Sequence, residues 1–284
     1  MRKTISVLIL FAVFWGKAMG DLTIAYTDEY GDFQQYIKDG KMATLQENIS
    51  MIMDYHAESL TSIHHGLKIY FQASIADYEK AITEYTASVK ARMIEVVAAE
   101  QGISQSEAQA MIERMIQGGM SQESNLSVRI EKGKSHTEAG FSLQQYKIYL
   151  GDKLTRELWV SPDLKKAVEK ELGAGKLDKI ESKMNDIMAD ARKNSLGITV
   201  PDQIEAEVNK LRQRGIIIID HDYIDVIGDL LNPAANIVNT LTISRDKILK
   251  DHFIVPGHYT KLSPYEYMLR EEIWTNDTFD ETNE

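Results

Sequence analysis

Cysteine is absent from all 284 residues. That excludes disulfide frameworks, Cys-type zinc sites, CxxC redox pairs and thiol nucleophiles, and leaves no thiol behind a leader to carry acyl chains. A chain of this length can bury a sufficient core without such staples. Proline, at 5 residues, and glycine, at 17, are scarce, which argues against long disordered tracts. Positive charge is in deficit: 32 Lys and Arg face 43 Asp and Glu, for a net charge of −11. Such a surface repels nucleic acid and anionic lipid headgroups, so neither is expected as a partner. The sequence contains no Gly-x-Ser-x-Gly elbow, no Walker loop and no Gly-x-Gly-x-x-Gly. The seven histidines have no partner histidine at i+2 or i+4, the spacings that aim two imidazoles at one ion. Asp220-His221-Asp222 is the best local cluster, but neighbouring residues of a strand face opposite ways. No metal, cofactor or catalytic residue is assigned on these grounds, and the chain is read as a non-enzyme.

What is present begins with a leader. Arg2 and Lys3 precede an apolar run from Ile5 to Trp15, and Ala18 and Gly20 stand at −3 and −1 of a cut before Asp21. This is the pattern of a signal peptide over residues 1–20, with a run too short to span a bilayer. The leader holds Arg2, Lys3 and Lys17 but no acid, so its removal makes the remainder more acidic. No later run approaches the ~18 apolar residues of a spanning helix. The expected product is soluble and exported, periplasmic or secreted, with no transmembrane anchor.

From Leu22 the apolar residues alternate. Asp39-Gly40 suits a type I′ hairpin, whose two central residues both need positive φ. Ile49, Met51, Met53 and Tyr55 share one strand face, Leu60 to His64 run back, and Leu67, Ile69 and Phe71 share a face of the next strand. The period then lengthens. Residues 75–118 read as a helical insertion, broken at Gly102 and restarted by a Ser104/Glu107 capping box. Strands return through Tyr146, Ile148 and Leu150, then Glu157 to Ser161. Residues 163–214 read as a second helical insertion, with Gly173-Ala174-Gly175-Lys176 as a helix break and Pro201 opening a third piece. Ile216 to Ile219 and the alternation Ile237, Asn239, Leu241, Ile243 close the strand inventory. Residues 264–284 carry seven acids against Arg270 and are set apart as an acidic tail, mobile beyond Trp274. The expected fold is α+β: one domain over 21–263, a curved antiparallel sheet (a half-barrel) with helices on its concave face.

Three segments in order resemble an uncharacterised exported bacterial domain family. They are the opening hairpin Tyr36 to Met42, the central stretch Gly140 to Tyr146 with Glu157 to Leu164, and the closing Asp251 to Tyr259. The resemblance implies a fold like the periplasmic outer-membrane lipoprotein carrier, a half-open barrel plugged by helices. It also implies an apolar or amphipathic ligand on the concave face. The 163–214 helices and the acidic tail depart from the family pattern.

Twelve methionines give that implication a chemical basis. Thioethers fill irregular cores, and they also line sites that accept chains of varied shape. The candidate ligand-binding residues are Met51, Met53, Ile69 and Phe71 on neighbouring strands, with Trp159 packing under the helices or rimming a pocket. The expected function is an exported envelope binding protein for a lipid or other apolar small molecule. The alternative is an envelope protein whose concave face is filled core and which meets a protein partner; a hydrolase stands third.

Overall fold

The computed structural model describes residues 21–28, 31–46, 48–120, 127–196, 202–222 and 240–281. The expected leader, the helix opening at Pro201 and the alternation at Ile237 and Asn239 lie outside the described residues.

Six strands open the fold: β1 (Leu22–Asp28), β2 (Gly31–Lys38), β3 (Lys41–Gln46), β4 (Ile49–Asp54), β5 (Ser59–His64) and β6 (Ile69–Ser74). Two helices follow, α1 (Ile75–Gln101) and α2 (Gln105–Met120), then strands β7 (Val128–Glu138), β8 (Phe141–Leu150) and β9 (Lys153–Ser161). Next come α3 (Pro162–Leu172), α4 (Lys176–Leu196) and α5 (Asp202–Arg214), then β10 (Ile216–Asp222), β11 (Thr240–Ser244), β12 (Thr260–Lys261) and α6 (Pro264–Glu281). The class is α+β, with a large antiparallel sheet that does not close into a barrel.

Local chemistry sets these boundaries. Asp39 and Gly40 join β2 to β3 with φ of 50° and 77°, as a type I′ turn requires. A Cβ on Gly40 would meet the His56 ring at 2.1 Å, so glycine serves both the turn and the packing. Ser74 caps α1 by accepting from the Asp77 N–H, and Gly102 ends it in the left-handed region. Ser104 and Glu107 form the reciprocal capping box of α2: each accepts the other's backbone N–H, at 2.9 and 3.3 Å. Ser161 caps α3, with Pro162 in its first turn.

Strand order corrects the single-sheet expectation. Eight strands run β11-β1-β2-β3-β4-β5-β6-β12, and four run β10-β9-β8-β7 in a second sheet. The edges β11 and β7 come against each other without forming a ladder. β7 is bulged between Lys132 and Ser135 and is exposed along nearly its whole length, carrying Arg129, Glu131, Lys132 and Lys134. A bulge and a row of charges are what keep an edge strand from pairing further.

Register places alternate residues in rows on the helix-covered face of the larger sheet. Leu22, Ile37, Met42, Met53, Leu60 and Ala73 form one row; Ile24, Gln35, Thr44, Met51, Ser62 and Phe71 form the next. The main core joins these rows to α3 through Leu164, Val168 and Leu172, and to α4 through Leu177, Ile180 and Ile187. The opposite face is covered too. Ala43, Ile52 and Ile63, with Tyr36 and Tyr70, pack under Phe253, Val255 and Tyr259 of the closing segment. Tyr36 stacks on His252 at 3.9 Å. α5 covers the smaller sheet, burying Ile204, Val208 and Leu211 against Ile148, Leu158 and Val160.

The segment expected as an acidic tail forms α6. Tyr267 on its first turn is 2 % exposed, packed with Leu60 and Phe71, and its hydroxyl accepts from Ser62 Oγ at 3.0 Å. One aromatic anchor thus outweighs the acidic composition, whose charges a helix can leave on its outer side.

Candidate functional site

β3 and β4 present Met42, Thr44, Met51 and Met53 toward α4, and the space between them is not filled. A cavity of about 350 Å³ remains, lined from the sheet side by these four and by Tyr55. α4 contributes Ile180, Glu181, Met184 and Asn185; Arg212 of α5 and Ile217 of β10 complete the wall. Four thioethers therefore converge from three elements. Met51 is 42 % exposed and stands at the mouth, whereas Met53, like Met184, is half-buried against the main core. Met42 and Met53 are direct cross-strand partners, and the Tyr55 hydroxyl lies 3.9 Å from Met42 Sδ.

One acid interrupts this apolar lining. Glu181 lies four residues after Leu177 and three before Met184, on the stripe that α4 turns to the core. Burial raises its carboxyl to about 7; Asp178 adds to the rise, while Arg212 and Lys165 act against it. It makes no hydrogen bond or close ion pair among the described residues. Burial also pushes up the Tyr55 hydroxyl, and the negative charge of Glu181 pushes it further.

The cations near Glu181 are already held. Arg212 Nη1 donates to Asn209 Oδ1 at 2.8 Å and lies 3.6 Å from Glu205, which also binds Arg156 at 3.0 Å. Lys165 pairs with Asp178 at 2.7 Å and donates to the Arg212 carbonyl at 3.0 Å. Of the two charged groups that line the cavity, Glu181 and Arg212, the acid is the one without a hydrogen bond or close ion pair among the described residues.

Of the residues singled out from sequence, Met51 and Met53 line this cavity. Ile69 and Phe71 share the sheet face but not the cavity. Phe71 is 2 % exposed and enclosed by Tyr78, stacked at 5.8 Å, and Tyr267, edge-on at 5.1 Å. Ile69 packs at the margin of the same cluster. Trp159 is half-buried on β9 against the main core, also away from the cavity. Met42, Tyr55, Met184, Glu181 and Arg212 were not singled out from sequence. Glu181 was detectable there as an acid on the apolar stripe of α4; Arg212 gave no such signal.

Among the described residues no group of His, Asp and Glu is arranged to hold a metal ion, and no helix is long and apolar enough to cross a membrane. Compared with protein-family models, curated proteins and solved structures, the chain matches none.

Proposed function

We propose that this chain is an exported, non-enzymatic binding protein that holds an apolar or amphipathic ligand, of the lipid class, between β3–β4 and α4. The observation that carries this reading is the cavity lined by four methionines on a sheet that stays open. Ligand pockets commonly occupy roughly 300–1,000 Å³, so about 350 Å³ suits a short chain or one end of a longer one. Flexible thioethers adapt to chains of varied shape, and apolar contact supplies roughly 25 cal/mol per Å² before association costs. The expected leader and the carrier-like resemblance support the same reading. A second reading, an envelope protein that meets a protein partner, is favoured by the α1–α2 hairpin, where Val96 and Met111 are exposed.

The test is organic extraction of the purified protein followed by mass spectrometry, with uptake of a fluorescent fatty-acid probe in parallel. A co-purifying lipid and saturable uptake are expected. Met53→Glu should abolish uptake while far-UV circular dichroism stays native, because water can reach a carboxylate at an open cavity. Absence of both lipid and uptake overturns the proposal. Outright unfolding of Met53→Glu makes the cavity filled core and favours the second reading.

A further inference from the structure

The head of the ligand can be assigned by chemistry, on the premise that the cavity is a ligand site. We infer that the cavity takes an amphiphile with a protonated amine head, whose ammonium group pairs with the Glu181 carboxylate while its chain lies among Met42, Met51, Met53 and Met184.

An anionic head would need a free cation, but Arg212 is engaged by Asn209 and Glu205. Lys165 is engaged by Asp178 and the Arg212 carbonyl. Of the charged groups lining the space, Glu181 alone has no hydrogen bond or close ion pair among the described residues. A carboxylate held in apolar surroundings is costly until a cation and donors reach it. An ammonium group brings both, with three N–H donors. A neutral head can satisfy the acid's hydrogen bonding but not its charge. An amphiphile also fits the shape of the site, since Met51 stands at an open mouth and the wall is mixed, with Thr44 and Asn185 beside the acid.

Acid should therefore remove the preference for the amine head. Besides burial, the groups that act on the ionisation of Glu181 are Arg212 from α5, Asp178 on its own helix and Lys165 from α3; the Tyr55 hydroxyl after β4 faces it and feels its charge. Burial raises the Glu181 carboxyl to about 7, and an alkylamine stays protonated well above that range.

The experiment uses the full exported chain loaded with the uncharged fluorophore N-phenyl-1-naphthylamine. Decylamine, decanol and decanoate, matched in chain length, compete for it. At about pH 8, decylamine should displace the fluorophore at roughly tenfold lower concentration than decanol, with decanoate weakest. Glu181→Gln, nearly the same in shape, should remove the amine's advantage and leave decanol unchanged; lowering the pH to about 5.5 should act alike on the native chain. Decanoate binding best, equal binding of all three, or an amine advantage that survives Glu181→Gln each overturns the head assignment and leaves the cavity reading standing. No uptake of the fluorophore overturns both.

Discussion

A carboxyl group in apolar surroundings keeps its proton more readily than its charge, and Glu181 carries that conflict in this chain. Its folded-state value near 7 lies above the ordinary 4.5, mainly through burial. Between those two values the folded state holds a proton that the unfolded state has lost. Stability therefore falls as pH rises through this window, and the full cost persists above it. Glu181→Gln removes the titration. It should stabilise the unliganded protein by on the order of 2–3 kcal/mol near pH 8, or roughly 5–10 °C in Tm, and by almost nothing near pH 4.5. Thermal melts of both proteins at the two pH values read this directly. An equal shift at both would mean that ionisation of Glu181 is not the cause. Asp21 has the opposite sign. Burial acts to raise its carboxyl, but the Lys38 ammonium at 2.7 Å and the Ile248 N–H at 2.6 Å hold it below the ordinary value. Its contribution is present at neutral pH and is lost as acid protonates it.

Among the elements, α6 shows how a helix of acidic composition is docked by a few side chains. Tyr267 buries its ring against Leu60 and Phe71 and accepts from Ser62. Arg92 of α1 binds Glu272 through Nη2 at 2.8 Å, at an exposed site where such a pair adds little. Tyr267→Ala should cost about 3–5 kcal/mol, as for other buried aromatics. Tyr267→Phe should cost about 1 kcal/mol for the lost hydrogen bond. Chemical denaturation midpoints distinguish the two; equal losses would assign the docking to the hydroxyl rather than the ring. α2, by contrast, packs chiefly on α1. Beyond Thr86 the only buried residue of α1 is Ala98, which packs where α2 buries Ala108 and Ile112. The two capping motifs at Gly102 and Ser104 turn the chain there without help from the sheet.

For the molecule as a whole, both faces of the larger sheet are covered, by helices on one side and by the closing segment on the other. The cavity sits where the cover over β3 and β4 is incomplete. The proposed export makes one further expectation concrete: N-terminal sequencing of protein from its native host should begin at or near Asp21. Recovery of the protein with Met1 intact in the host cytoplasm would count against export.

Features governed by neighbours along the chain were legible in the sequence. The Asp39-Gly40 turn, the Ser104/Glu107 box and the break at Gly173 to Gly175 follow from φ preferences and unpaired helix-end groups, and each is where the chain placed it. Period-2 alternation likewise put Met51, Met53, Ile69 and Phe71 on one sheet face. Which of the four border empty space was set by packing between elements distant in the chain. Phe71 is sealed by Tyr78 and Tyr267, from helices that begin 4 and 193 residues away from it along the chain, whereas Met51 and Met53 lie under a part of α4 that does not close on them. The same holds for the environment of Glu181, because desolvation depends on what α3, α5 and the sheet bring around it. Spacing along one helix can show that an acid faces inward; the depth and charge of what it faces are set by contacts distant in sequence.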